Sequence, residues 1–259
     1  MLTLTCDRAQ LSDGESILEL GCGWGSLSLW MAQKYPHSKI VAVSNSRTQK
    51  EFIDSEAHRL GLHNLEVRVA DMLHFDPMQT FDRIVGVEMF EHMRNYAELF
   101  RRISGWLNPG ATLFVHIFTH RQYAYPFETG RANDWMAQYF FSGGQMPSDD
   151  LLLEFNDHLR NTAYWRINGR HYAQTCEDWL CNMDANESTI RPLFRTCYDP
   201  DQETKWMVRW RVFFSPAPNY SRIVKAPGGA SATTSLKNHE PPNLPLHTPR
   251  HIRLQPPRQ

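Results

Sequence analysis

The chain has 259 residues, enough to bury one substantial core but not two ordinary domains side by side, so one domain with appendages is expected. Its formal net charge is −1, with 27 basic and 28 acidic residues scattered throughout, which excludes the broad phosphate-neutralising surface that nucleic acid requires. The longest apolar runs are a few residues and the opening MLTLTCDRAQ lacks a basic region followed by an apolar core, so neither a membrane span nor a signal peptide is expected and the cytoplasm is the default compartment.

In chain order, SILEL from Ser16 reads as a short buried strand, followed by a glycine-rich turn and the helical pattern SLSLWMAQKY. KIVAVSN is a second strand, Thr48 to Leu60 a helix, and LEVRVAD a third strand ending in an acid. FDRIVGVEM is a fourth strand, MRNYAELFRRISGWL a helix closed by Asn-Pro-Gly, and ATLFVHIFTH a fifth strand. Such alternation predicts an α/β, Rossmann-like fold: a mostly parallel sheet with helices on both faces and ligands beyond the carboxyl ends of its strands.

From Gln122 to Trp179 the chain is rich in aromatic residues, including Tyr123, Tyr125, Trp135, Tyr139, Phe140 and Phe141, and is read as substrate-covering helices with a less regular strand near Asn161 to Gln174. Residues 1–214 form the expected domain. The last 45 residues hold nine of the sixteen prolines and one acid, Glu240, so 215–259 is expected to be a disordered tail, either a plain extension or a contact for a protein partner. The five cysteines, Cys6, Cys22, Cys176, Cys181 and Cys197, show no paired spacing and are expected to be reduced thiols. Nothing in the sequence reports the oligomeric state.

The turn after the first strand is Glu19-Leu-Gly21-Cys22-Gly23-Trp24-Gly25, where glycines permit a sharp bend and close approach of a ligand to the backbone. The GxGxG spacing differs from the dinucleotide GxGxxG, and an acid precedes it by two positions. A carboxylate there would repel pyrophosphate but suits the ammonium and sulfonium of S-adenosyl-L-methionine. At the end of the second strand Asn45, assisted by Gln49, is placed to hold ribose hydroxyls. After the third, Asp71 is placed to accept from the adenine amino group and Met72 to offer a backbone amide to a ring nitrogen.

Taken together, ILELGCGWGSLSLWMAQKYP, VAVSNSRTQKEFI, VRVADM, FDRIVGVEMFEHMRNY and WLNPGATLFVHIF resemble the cyclopropane-fatty-acid-synthase-like methyltransferases, and within them the plant coclaurine and pavine N-methyltransferase type. The resemblance covers about residues 3 to 213. It implies a methyltransferase using S-adenosyl-L-methionine without a metal, with a small-molecule amine as methyl acceptor and Glu88, Glu91 and His92 around that amine. His92 or Glu91 would remove the proton that blocks attack.

In the lipid-cyclopropanating relatives the positions of His116 and Glu91 help hold bicarbonate, but the counterpart of Glu88 is glycine and that of Trp179 tyrosine, which favours the amine over an unsaturated acyl chain. The resemblance also leads us to expect that a covering segment before Met1 and the final strand of the sheet are missing. A third reading is therefore an inactive cofactor-binding remnant with an interacting tail. His116 and His120 fall on one face of the fifth strand, but without cysteine or acid partners they do not make a metal site.

Overall fold

A computed structural model describes residues 1–130, 135–215 and 230–238. The chain opens with helix α1 (Leu2–Arg8) and then alternates β1 (Ser16–Leu20), α2 (Ser26–Lys34), β2 (Lys39–Ser44), α3 (Arg47–Arg59), β3 (Leu65–Val69), β4 (Phe81–Val87), α4 (Tyr96–Trp106) and β5 (Leu107–Thr119). A short pair β6 (Tyr125–Pro126) and β7 (Gln145–Met146) flanks α5 (Trp135–Tyr139). There follow β8 (Leu159–Asn168), α6 (Arg170–Ala185), α7 (Glu187–Cys197), α8 (Glu203–Phe214) and β9 (Ala230–Asn238).

Seven strands form one sheet in the order β3-β2-β1-β4-β5-β9-β8, the first five parallel and β9 antiparallel to both of its neighbours. The jump from β3 to β4 reverses the direction in which strands are added, so β1 and β4 diverge at a topological switch point. Alternation along β1 sends Leu18 and Leu20 into one buried cluster with Ile84, Leu113 and Phe100, and Ile17 into another with Met31 and Phe114. A sheet buried on both faces in this way requires nearly continuous apolar strands, which is what KIVAVS and FDRIVGV supply.

Helix α4 shows why its sequence folds as it does. Tyr96, Leu99, Phe100, Ile103 and Trp106 recur at helical spacing and are all buried, while the Asn95 side chain accepts from the Glu98 backbone N–H at 3.1 Å. Burying each such side chain contributes roughly 1.5–3 kcal/mol before ordering entropy is subtracted.

Helix α1 is marked by no apolar period, since only Thr5 and Cys6 of its seven residues are buried. Among the described residues from Gln122 to Trp179, the strand expected near Asn161 is present as β8 but ends at Asn168, where α6 follows. The stretch before β8 holds only the five-residue α5, a 3-10 turn and the β6–β7 pair rather than a helical cover, since Pro126, Gly143, Gly144 and Pro147 interrupt a helix there. Helix α4 does end just before Asn108-Pro109-Gly110, as expected, but that segment is an irregularity within β5, where the register shifts between Phe81 and Arg83, and not a loop ahead of the strand.

The tail reading is also corrected in part: Ala230–Asn238 forms β9 and occupies the place between β5 and β8 where the sheet would otherwise lack a strand. It enters by backbone pairing and not by an apolar face. Leu236 is fully buried, and the hydroxyls of Thr234 and Thr162 donate across the pair to the carbonyls of Ala163 at 3.2 Å and Ser235 at 2.9 Å. Residues 216–229 and 239–259 lie outside the described residues. Among the described residues no helix is long and apolar enough to cross a membrane.

Candidate functional site

A cleft of about 780 Å³ opens at the carboxyl ends of β1, β2, β3 and β4. Eight of the eleven residues singled out in the sequence line it: Gly21, Gly23, Asn45, Gln49, Asp71, Met72, Glu88 and His92. The remaining three, Glu19, Cys22 and Glu91, are buried behind its wall.

The glycine turn is built on backbone. The N–H groups of Gly21 and Cys22 both donate to the Val43 carbonyl, at 3.0 and 2.9 Å, which ties the end of β1 to β2. Gly23 has φ +53°, and a Cβ placed there would meet nothing within 4 Å, so this side of the turn is open to a ligand. Gly25 has φ +81°, and a Cβ would fall 2.6 Å from Ile53 Cγ1, so its requirement comes from packing.

Glu19 is 3 % exposed and accepts from the Ser28 hydroxyl, and burial pushes its carboxyl up to about 7. It therefore faces α2 rather than the open cleft. Burial, reinforced by Glu19, likewise drives the Cys22 thiol up to about 12, leaving it inert as a nucleophile. On β2 the Ser44 hydroxyl donates to Gln49 Oε1 at 2.5 Å and the Ser46 hydroxyl accepts from the Gln49 N–H at 3.3 Å, so Gln49 is fixed beside the exposed Asn45. Asp71 spends one oxygen on the Leu73 N–H at 2.9 Å.

Past β4 the backbone turns sharply. Glu88 adopts a left-handed conformation, φ +51°, and its N–H donates to the His116 carbonyl at 2.9 Å. A non-glycine residue held there costs about 1–2 kcal/mol and is a frequent mark of a functional position. One 3-10 turn, Phe90–His92, then carries Glu91 and His92.

The carboxyls of Glu88 and Glu91 are neighbours, and neither Glu88 Oε1, which faces His116 Nε2 at 3.5 Å, nor Glu91 Oε2 makes a hydrogen bond among the described residues. Burial, and for Glu88 the neighbouring Glu91 charge, holds both carboxyls above the usual carboxylate range, so the pair keeps a proton to higher pH than a free carboxylate does. The His92 ring stacks on Phe141, centroids 5.8 Å apart and planes 17° apart, and its desolvated setting lowers its pKa.

Sequence reasoning missed Arg94, Asn95, Ser142 and Gly143 as cleft residues. The double glycine in FFSGGQ was the available signal. Of the aromatic cluster only Phe140 lines the cleft; Tyr123 and Tyr139 are exposed, and the Trp135 side chain lies outside the described residues. Trp179 sits apart, in a second, apolar groove with Trp24, Trp210 and Phe214. His120 lies just beyond β5, where its Nδ1 accepts from the N–H groups of Gln122 and Tyr123 at 3.1 and 2.9 Å. No group of three or more His, Cys, Asp or Glu among the described residues is arranged to hold a metal.

A family described as mycolic acid cyclopropane synthetase matches residues 1–207. The chain is 44 % identical over 198 residues to an (S)-coclaurine N-methyltransferase of Thalictrum flavum subsp. glaucum, a match covering 76 % of this chain and 55 % of that protein. It is 37 % identical over 216 residues to a pavine N-methyltransferase of the same plant, covering 82 % of this chain and 61 % of the relative. The fold matches a crystal structure of coclaurine N-methyltransferase bound to N-methylheliamine and S-adenosylhomocysteine, with a TM-score of 0.82, 37 % identity and coverage of 92 % of this chain and 72 % of that one. The chain thus spans a little over half the length of these two curated relatives.

Proposed function

From the premise that the chain belongs to the mycolic acid cyclopropane synthetase family, we propose that it is an S-adenosyl-L-methionine-dependent methyltransferase acting on the nitrogen of a small-molecule amine. The observation that carries this reading is the Glu88–Glu91 pair: Glu88 lines the cleft with Glu91 buried behind it, and each has one buried oxygen that makes no hydrogen bond among the described residues. Leaving such oxygens unpaired costs about 1–3 kcal/mol each, and an ammonium group offers the donors and charge that would satisfy them.

The residues of the cleft fit the methyl donor: an open glycine turn at Gly23, amide and carbonyl groups of Asn45 and Gln49 for hydroxyls, and the Asp71 carboxylate for an amino group. When bound, that molecule supplies an electrophilic methyl carbon on a sulfonium. Glu88, backed by the buried Glu91, holds the arriving ammonium and orients it. Attack needs the free electron pair on nitrogen, so a proton passes to the Glu88–Glu91 pair or to His92, whose lowered pKa keeps it neutral and able to accept. The enzyme's remaining contribution is alignment. The compartment in this reading is the cytoplasm, which suits five cysteines that form no disulfide, two of them exposed.

The test is calorimetric titration with S-adenosyl-L-methionine, followed by a panel of tetrahydroisoquinoline amines with S-adenosylhomocysteine release as readout. Saturable binding and amine-dependent release, the latter lost in Glu88→Ala, are expected. A folded protein that binds no methyl donor would overturn the reading.

A further inference from the structure

We propose that the turn Phe141–Gln145, centred on Gly144, is a positioning element that fixes the Glu91–His92 turn against the cleft. Its kinetic consequence rests on the methyltransferase reading; its structural one does not. Glu91 and His92 sit on a three-residue 3-10 turn, too short to hold its own geometry. From the core side it is secured by the buried Phe90 ring and by the Tyr96 hydroxyl, which donates to the Phe90 carbonyl at 2.9 Å.

From the other side it meets the Phe141–Gln145 turn and the adjoining β7. A Cβ on buried Gly144 would fall 2.5 Å from the Glu91 carbonyl oxygen and 3.3 Å from His92 Cα, so the two backbones touch where only glycine fits. The φ of Gly144 is outside the left-handed region, so an alanine there acts through contact alone. Both elements are latched: Arg94 Nε and the Phe127 N–H donate to the Gly144 carbonyl at 3.2 and 3.0 Å, and Gln145 Nε2 donates to the Met93 carbonyl at 3.3 Å. Phe141, held edge-on by Phe118, supplies the ring on which His92 stacks. The same turn places Ser142 and Gly143 in the cleft wall, so the shape of the cleft and the aim of Glu91 and His92 are set by one piece of chain.

The experiment uses the full chain, Gly144→Ala, and as control Gly105→Ala, whose Cβ would meet nothing within 4 Å. Binding of S-adenosyl-L-methionine is expected to change by less than about threefold in both. In Gly144→Ala, kcat for the amine is expected to fall about 10- to 100-fold with a smaller change in KM. The His92 ring signals in the NMR spectrum, assigned by His92→Gln, should lose their ring-current shift and titrate closer to an ordinary histidine. Folded Gly144→Ala with unchanged His92 signals and kcat overturns the proposal. Should that variant not fold, Phe141→Leu answers the same question through kcat alone, a fall of about tenfold or more supporting it and an unchanged kcat overturning it. If the unaltered chain binds the methyl donor but turns over no amine, the methyltransferase reading fails, and the His92 signals alone decide the positioning role.

Discussion

Glu88 Oε1 lies 3.5 Å from His116 Nε2, brought there because β4 and β5 pair in parallel with Val87 opposite His116. Burial, aided by Arg8, pushes His116 down to about 4, so at neutral pH the carboxyl faces an uncharged ring. No imidazolium is present to favour ionisation of the Glu88–Glu91 pair, and the pair keeps its proton to higher pH. As base, the pair works only after losing that proton. For the bound amine, kcat is therefore expected to rise with pH through neutrality. Glu91→Gln should lower kcat by about 100-fold and remove that limb. A variant whose kcat follows the same pH curve as the unaltered enzyme would show that the pair is not the base.

Glu19 gives a pH effect on stability that is separate from catalysis. Its folded-state pKa is raised from 4.5 to about 7, so the folded chain binds a proton that the unfolded chain has released. The stabilisation is therefore complete below pH 4.5 and is lost as pH rises through about 7. Glu19→Gln keeps an acceptor for Ser28 without the ionisation. Relative to the unaltered chain, the variant should gain stability between those two pH values, by on the order of 3 kcal/mol. Urea unfolding midpoints at pH 5 and pH 8 decide it, and parallel curves for the two proteins would refute it.

The glycines of the turn should separate by what they face. Gly23→Ala introduces a side chain into open space at φ +53°, costing about 1–2 kcal/mol of stability, yet it points where the ligand approaches. Its melting temperature should fall by a few degrees while affinity for S-adenosyl-L-methionine falls about 100-fold, or nearly 3 kcal/mol. Gly25→Ala drives a methyl against Ile53 and should cost more stability than affinity. The opposite ranking would place the ligand on the other side of the turn.

Much of this site was legible in the sequence because parallel strands end in unbroken apolar runs, and whatever follows such a run stands at the ligand edge. That logic located Gly21, Gly23, Asn45 and Asp71 one strand at a time, while Glu88 was implied by the family resemblance. It did not reveal that Glu19 turns toward Ser28, since alternation along a strand buried on both faces does not say which side meets solvent. Nor did it pair His116 with Glu88, because register between β4 and β5 is set by packing and not by either strand's composition. The role of Gly144 was out of reach for a similar reason: its partner, Glu91, lies 53 residues earlier in the chain.

Strand β9 tests how far composition can mislead. ASATTSLKN carries one large apolar side chain and stands in a proline-rich segment, so hydrophobic periodicity gave it no standing as a strand. Its environment supplies what its sequence lacks: β5 and β8 present two edges whose backbone groups pair with it along most of its length. Leu236 is fully buried within the main apolar cluster, and its removal leaves a cavity between sheet and helix. Leu236→Ala should therefore destabilise the chain by about 2–5 kcal/mol, whereas Leu193→Ala, at an exposed side chain, serves as the comparison. A chain ending at residue 229 should expose both edges and associate, which light scattering would detect. Leu236→Ala that unfolds at the same urea concentration as the parent would mean that β9 contributes no stability and that the sheet ends at β5.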